Sequence, residues 1–195
     1  MNRFALLLVA TIMVVFTSEQ CGAQERQRFD GGMMIHTGYL HGDLSALHYE
    51  AKGPAFGLGG VLHFHLGRHF RVGGEGAVST LRQMKNGSFV RVGWGGLLAD
   101  AYLRLGRWQP YIGLSVGGGK SSLLLLFDGS ADDWAPEPQA ILRNERFFFV
   151  NPYVGVEFAL TQSIHLTLKA DRLVTLTPTE MPNGMRFYVG VLFVH

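Results

Sequence analysis

The chain has 195 residues, of which 47% are hydrophobic and 16% are charged, and it carries a formal net charge of +2. This length suggests a single domain, and the charged fraction lies well below the roughly 25% of an average soluble domain. The small positive excess is dispersed along the chain, which excludes the basic patch of a typical nucleic-acid-binding protein.

Residues 1–23 have the pattern of a secretory signal peptide. Arg3 supplies a positive start, an apolar run extends from Phe4 to Phe16, and Cys21-Gly22-Ala23 offers small residues for cleavage after Ala23. The apolar run is shorter than the ~20 residues that a membrane-spanning helix needs. We therefore expect export and a mature domain, residues 24–195, that contains no cysteine.

The mature chain alternates apolar and small or polar residues, with a period of two that is typical of β-strands. Glycine-containing turns separate the alternating runs. The pattern predicts eight strands: Gly31–Gly42, Ala55–Leu66, Phe70–Leu81, the two arms of a hairpin over Arg91–Gly119, Phe147–Leu160, Ser163–Asp171 and Met185–His195.

The predicted connections alternate in length along the chain. Short turns fall at Gly67-Arg68, Gly106-Arg107 and Thr161-Gln162, and longer connections cover 43–54, 82–88, 121–146 and 172–184. All short turns then lie at one end, which indicates an all-β, eight-stranded antiparallel up-and-down barrel, as in transmembrane β-barrels.

The whole mature chain resembles, in architecture rather than by a residue motif, the eight-stranded bacterial outer-membrane barrels of the OmpA and OmpX class. Members usually end in an aromatic residue, whereas this chain ends in His195, with Phe193 nearby. The resemblance implies a place in the outer membrane of a diderm bacterium, with both termini periplasmic.

The two faces of the predicted strands differ sharply, and this decides which face is outside. One face is almost purely apolar, and the other carries glycine, alanine and serine, which fit a narrow lumen better than a soluble exterior. A soluble lipocalin-like barrel would reverse this arrangement. Aromatic residues near the short turns suit a membrane-interface girdle: Phe64, Phe70, Trp108, Phe158 and Phe193.

Charged residues on the small-residue face occur in equal numbers of each sign, which predicts an ion-pair network inside the lumen. The cations are Arg71, Arg104, Lys169 and Arg186, and the anions are Glu75, Asp100, Glu157 and Asp171. Val90, Val92 and Trp94 share this face, which indicates either a bulge or a part of the strand that projects above the bilayer.

Three motifs invite a reading as chemical sites. His63, His65 and His69 suggest a metal site, but no cysteine or clear carboxylate completes a ligand set, so hydrogen-bonded rim or lumen histidines are the better interpretation. The run 116–121 lacks the spacing of a phosphate-binding loop. Ser163 and His165 share a face, as nucleophile and base of a lipid A-modifying enzyme would. We expect no catalytic residue, no metal and no cofactor.

The predicted connection 121–146 is the best candidate for recognition, because loops on a rigid scaffold often carry binding function. Its exposed residues are Asp128, Asp132, Asp133, Trp134 and Glu137. The sequence thus predicts a monomeric outer-membrane barrel with a filled lumen, in contact with outer-membrane lipid and lipopolysaccharide, with a structural or surface-recognition role. The alternative is a porin-like channel for small solutes, which is disfavoured because eight strands leave an interior just wide enough for side chains.

Overall fold

The computed structural model describes residues 29–44, 49–82, 89–127, 139–176 and 183–195. Within these ranges the chain forms eight strands: β1 (Phe29–Leu44), β2 (Tyr49–Leu66), β3 (Phe70–Arg82), β4 (Phe89–Tyr102), β5 (Trp108–Phe127), β6 (Gln139–Ala159), β7 (Ile164–Thr175) and β8 (Asn183–Val194). The predicted signal peptide (1–23) and the five predicted recognition residues of the loop 128–138 lie outside the described residues.

Each strand pairs antiparallel with its neighbours in sequence, and β1 also pairs with β8, which closes the sheet. The closing register runs from Asp30 opposite Val194 to His41 opposite Asn183. A closed sheet of sequential antiparallel strands is an up-and-down barrel. The predicted fold class is therefore confirmed.

Three tight turns lie at one end of the barrel. Gly67 and Gly106 have φ of 73° and 65°, in the left-handed region that favours glycine. In the third turn the Thr161 hydroxyl accepts hydrogen bonds from the backbone N–H groups of Ser163 and Ile164, at 3.2 and 3.0 Å. The start of β1 and the end of β8 lie at the same rim, where the backbones of Phe29 and His195 exchange hydrogen bonds.

The strands are longer than the alternation predicts. The expected connections 43–54, 121–146 and 172–184 are wrong in extent, because β1 and β2 remain paired up to Leu44 opposite Tyr49, and β5 and β6 up to Phe127 opposite Gln139. Alternation reports only which side chains are buried, whereas pairing satisfies the backbone whatever the side chains are. The strands therefore continue beyond the last alternating residue.

The exterior is apolar over most of the barrel height. Large hydrophobic side chains are exposed there, including Met33, Phe56, Leu97, Ile112 and Phe148. The predicted girdle residues also lie outside, near the short turns, where the Trp108 and Phe158 rings pack with centroids 4.7 Å apart. In water such a surface would be unfavourable, so its surroundings must be apolar.

Glycines on the inner face make room for large neighbours. Gly113 is opposite Tyr153, and Gly155 is opposite Tyr111. A Cβ at Gly113 would lie 2.5 Å from the Tyr153 ring, so each tyrosine lies across the bare backbone of the next strand. This pairing allows a barrel of only eight strands to enclose aromatic side chains.

Among the described residues no helix is long and apolar enough to cross a membrane.

Candidate functional site

The interior of the barrel gathers the polar and charged side chains that the sequence singles out. Nearest the short-turn rim, Asp30 at the start of β1 accepts hydrogen bonds from two histidines of β2. His63 Nδ1 lies 2.5 Å from Asp30 Oδ1, and His65 Nε2 lies 2.6 Å from Asp30 Oδ2. Asp30 itself is 1% exposed. One carboxylate thus fixes two imidazole rings that alternation places on the same face.

Arg71 of β3 is the centre of the next group. Its Nε and Nη2 donate to the two carboxylate oxygens of Asp100, at 2.8 and 3.3 Å, and its Nη1 donates to Glu157 at 2.6 Å. Asp30 lies 3.5 Å from Nη1. His165 Nδ1 is 3.4 Å from the other oxygen of Glu157. The planar guanidinium can bind one carboxylate at two points and a second carboxylate through its remaining nitrogen, a geometry that a lysine ammonium does not have.

A second group lies deeper in the barrel and is centred on Glu75. It forms an ion pair with Lys169, and it accepts hydrogen bonds from the Ser115 hydroxyl at 2.5 Å and from the Asn151 amide at 3.4 Å. Asn151 also donates to Asp171 at 2.9 Å. Buried carboxylates are stable only when such partners replace the lost water.

Asp171 connects this group to Arg186 of β8. The guanidinium donates from Nε to Asp171 Oδ1 at 2.8 Å and from Nη2 to Oδ2 at 3.0 Å. It is a two-point contact across the register pair Asp171–Arg186 of β7 and β8. Asn151 joins the Glu75 and Arg186 groups into one continuous network.

Each buried cation is also enclosed by aromatic rings. The Arg71 guanidinium carbon lies 5.0 Å from the Tyr102 ring and 5.2 Å from the Tyr111 ring. Lys169 Nζ lies 4.1 Å from the Tyr153 ring, and the Arg186 guanidinium carbon lies 4.6 Å from the Trp94 ring. Cation–π attraction is strongest when water is excluded, so these rings help to offset the cost of burying the charges.

Towards the long-connection end, the lumen becomes apolar. Val90, Val92 and Trp94 are 2%, 2% and 6% exposed and point inward. They pack in a cluster with Leu40, Leu81, Leu123, Phe147, Phe149 and Leu173. The register of β4 with β3 and β5 is continuous through these residues, so of the two alternatives given by the sequence the bulge does not occur. The inner face that the sequence predicts for Val90, Val92 and Trp94 is therefore an apolar section of the lumen.

The packing leaves little open space. A cavity of about 10 Å³ lies among Met34, Val61, Glu75, Tyr111 and Lys169 and has room for about one water molecule. Between this cavity and the short-turn rim, aromatic and charged side chains occupy the lumen. Towards the long-connection end, the apolar cluster occupies it.

Seven of the eight predicted network residues lie buried inside the barrel, and the eighth does not. Arg104 follows the end of β4 at Tyr102 and is exposed at the rim, where its Nη2 is 3.4 Å from the Tyr102 hydroxyl. Its inclusion in the lumen network is corrected accordingly. Backbone pairing continues beyond Arg104, from the Leu103 N–H to the Pro110 carbonyl and at the Leu105–Trp108 bridge, so the residue keeps the inner parity but lies at the open rim.

Sequence reasoning missed the role of Asp30 and of three histidines. The predicted first strand begins at Gly31, whereas β1 begins at Phe29, so Asp30 belongs to the strand. The sequence predicts hydrogen-bonded rim or lumen histidines at 63 and 65 without identifying their partner, which is Asp30, and His165 contacts Glu157. A count of inner-face charges that included Asp30 would have shown more carboxylates than cations and indicated histidine partners.

The alternative chemical readings do not assemble in the structure. Among the described residues, no group of three His, Cys, Asp or Glu side chains is arranged to hold a metal ion. Ser163 is exposed in the β6–β7 turn, whereas the His165 ring is buried against Glu157. The geometry therefore presents a structural network with satisfied charges.

No protein-family model matches the chain, and no curated protein matches its sequence. Solved structures do match. Neisserial surface protein A aligns with a TM-score of 0.57 at 12% identity, over 85% of this chain and 96% of that one. The outer membrane protein OprG from Pseudomonas aeruginosa gives 0.57 at 11% identity, over 87% and 96%. Ail, the attachment invasion locus protein of Yersinia pestis, gives 0.55 at 9% identity, over 87% and 100%.

Such low identities establish a shared fold only. The match nevertheless extends over nearly the full length of each of these structures, and the strand number and closure agree with the geometry described above. The chain has the fold of the eight-stranded outer-membrane β-barrels.

Proposed function

We propose that this protein resides in the outer membrane of a diderm bacterium as a monomeric, non-enzymatic barrel with a closed lumen. In this proposal the barrel is a rigid carrier, and its connections at the long-loop end make structural or recognition contacts outside the cell. The observation that carries the proposal is the combination of an apolar exterior with an interior in which ion pairs and aromatic rings fill the available space.

The exterior supports membrane residence. Exposed side chains such as Leu97 at 73% and Phe148 at 68% would cost free energy in water and gain it in hydrocarbon. The short turns then face the periplasm and the longer connections face outward, as in bacterial outer-membrane barrels. The lipid around the barrel, including lipopolysaccharide in the outer leaflet, is its first partner in this proposal.

The interior argues against the porin-like alternative. Two aromatic-enclosed cations reach across the lumen to carboxylates on strands that are not their neighbours, Arg71 of β3 to Glu157 of β6 and Lys169 of β7 to Glu75 of β3. Opening a path would require breaking these buried pairs, at several kcal/mol each. The apolar cluster above them adds a second barrier to water and ions.

Two measurements test the proposal together. The protein is purified from the membrane fraction, and its gel migration is compared with and without boiling; a folded barrel is expected to shift in apparent size on boiling. The same sample is then added to planar lipid bilayers, beside a known porin as positive control. Absence of the gel shift would contradict the barrel in the membrane, and steady open channels would contradict the closed lumen.

The non-enzyme part has its own test. Lipopolysaccharide is incubated with the wild-type protein and with Ser163→Ala, and its acyl chains are analysed by mass spectrometry. We expect no change with either protein. A modification that depends on Ser163 would refute the non-enzymatic assignment.

A further inference from the structure

Three cationic side chains lie on the outer surface of three adjacent strands. Arg91 of β4, Lys120 of β5 and Arg146 of β6 are all exposed and face away from the lumen. They stand among residues of the lipid-facing parity, such as Leu97 and Phe148. Cations on this face need an explanation that the interior network does not give.

The strand register brings the three together. Lys120 and Arg146 are direct partners across β5 and β6, while Arg91 is opposite Ser122, two residues from Lys120. Direct partners have Cβ atoms about 5 Å apart, and diagonal ones are about 7–8 Å apart. Like charges placed directly opposite each other destabilise a sheet. An anion between them would remove that cost.

The position of Arg91, Lys120 and Arg146 (the triad) along the barrel axis can be compared with that of the aromatic girdle at the short turns. On the β5–β6 pair, the girdle partners Trp108 and Phe158 lie twelve residues from the partners Lys120 and Arg146. Strands that rise about 3.3 Å per residue and are tilted by roughly 40° climb about 30 Å over that length. That is roughly the thickness of the hydrocarbon core of a bilayer, so the triad lies at the opposite interface.

Counter-charges for the triad are missing within the described residues, where none of the three cations forms an ion pair. Arg91 instead makes a cation–π contact: its guanidinium carbon lies 5.9 Å from the centroid of the Phe89 ring. Inside the barrel, by contrast, Arg71, Lys169 and Arg186 all have carboxylate partners. Among the residues that the structure describes, the triad is therefore an outward-facing positive patch without a carboxylate partner, at the membrane interface.

We infer that Arg91, Lys120 and Arg146 bind the phosphate groups of a phosphorylated glycolipid of the outer leaflet, the lipid A part of lipopolysaccharide. The inference rests on the proposed function, because it uses the membrane position and orientation of the barrel. Guanidinium and ammonium groups bind phosphate through charge-assisted hydrogen bonds. Below the triad, the outer-face residues Gly95 and Gly118 are register partners and leave a low surface beside it for acyl chains.

The test measures lipid binding to the full-length protein in detergent by native mass spectrometry. The probes are lipid A with two phosphates and the same lipid after dephosphorylation. We expect the phosphorylated lipid to bind wild-type protein about tenfold more tightly, a difference of about 1.4 kcal/mol in binding free energy. The double variant Lys120→Gln, Arg146→Gln should lose this preference.

A matched control is the double variant Arg68→Gln, Arg107→Gln, which removes two exposed cations from the opposite, short-turn rim. It should keep the tenfold preference. Equal binding of both lipids to wild-type protein, or an unchanged preference in the Lys120 and Arg146 variant, would overturn the inference. Displacement of the lipid by an equal concentration of inorganic phosphate would also overturn it, in favour of a site for small anions.

The gel shift on boiling distinguishes failure of the phosphate site from failure of the proposed outer-membrane barrel. All variants are expected to keep it, because the substituted side chains are exposed. If the wild-type shift is present and the phosphate preference is absent, only the phosphate site is refuted. If the wild-type shift itself is absent, the proposed outer-membrane barrel is refuted.

Discussion

Glu75 and Lys169 show how single residues stabilise the barrel interior. Each is less than a tenth exposed, and each is the other's ion-pair partner. Lys169→Met would leave the Glu75 carboxylate buried with only Ser115 and Asn151 as donors. We expect a loss of about 3–5 kcal/mol in the free energy of unfolding, measured by urea titration of the folded barrel in detergent.

The double variant Glu75→Gln, Lys169→Met is the control for this effect. It removes both charges, so most of the lost stability should return. Lys120→Met, which removes an exposed lysine from the outer face, should change the midpoint little. If the single and double variants were equally destabilised, the cost would come from lost packing and not from an unpaired charge.

Arg71 provides a second test at this scale, because its geometry and not only its charge is used. Arg71→Lys keeps the positive charge but cannot donate to Asp100 and Glu157 through a planar fork. We expect a loss of about 1–3 kcal/mol by the same titration. The exposed Arg68→Lys should be neutral, and a neutral Arg71→Lys would show that charge alone is sufficient.

At the residue scale, the sequence predicted which charges face inward but not which of them meet. Parity identified Arg71, Glu75 and Asp100 as sharing a face. Pairing across the lumen depends on the stagger between strands that are distant in sequence, and parity carries no information about it. For the same reason Asp30, at the very start of β1, could not be matched with His63 and His65 beforehand.

Within one strand, glycine has two different roles, and β5 contains both. A Cβ at the inward Gly113 would meet the Tyr153 ring and Asp100 Cβ at 2.5 and 2.6 Å, whereas at the outward Gly118 its nearest neighbour is the Phe147 carbonyl oxygen at 3.5 Å. We expect Gly113→Ala to cost about 1–3 kcal/mol through overpacking. Gly118→Ala should change stability by about 0.5 kcal/mol or less.

The comparison uses urea midpoints of the two variants, which differ from wild type by the same single methyl group. A general loss of backbone flexibility would affect both positions alike, so equal midpoints would contradict the packing account. A Tyr153→Leu background offers a further control. There the added methyl at Gly113 should cost less than in wild type, because the ring is gone and only the close contact with Asp100 Cβ remains.

Strand existence was predictable and strand length was not. The alternation in β3 and β8 is strong, and their predicted and observed bounds agree within two residues. At the ends of β5 and β6 the alternation fades into Leu124–Phe127 and residues 139–146, yet backbone pairing continues there. The side chains of Val90, Val92 and Trp94 face inward for the same reason, because alternate residues of a strand stay on one face while the register is unbroken.

The closed barrel makes a prediction for the molecule as a whole. Met33 and Val191 face each other across the β1–β8 seam. In a Cys21→Ser background, cysteines at these two positions should form a disulfide on mild oxidation, because cross-strand partners lie within the Cα distance that a disulfide requires. The band of the unboiled, oxidised protein should then resist unfolding by urea, and reduction should abolish this resistance.

The control pair places cysteines at Met33 and Phe187, which is opposite Thr37. These positions are four residues out of register, about 13 Å apart, too far for a disulfide. Cross-linking of the control pair and not of Met33 with Val191 would mean that the seam closes in another register.

The contacts of the lumen network also constrain the order of folding. Lys169 and Glu75 are separated by 94 residues in sequence, and Arg71 and Glu157 by 86. Neither pair can form in a hairpin or in a partly assembled sheet; each requires strands from opposite sides of the barrel. Contacts of such long range slow folding, because the chain loses its entropy before they form. The charges therefore remain in water until the seam closes, and the last step of folding is also the step that dehydrates the interior.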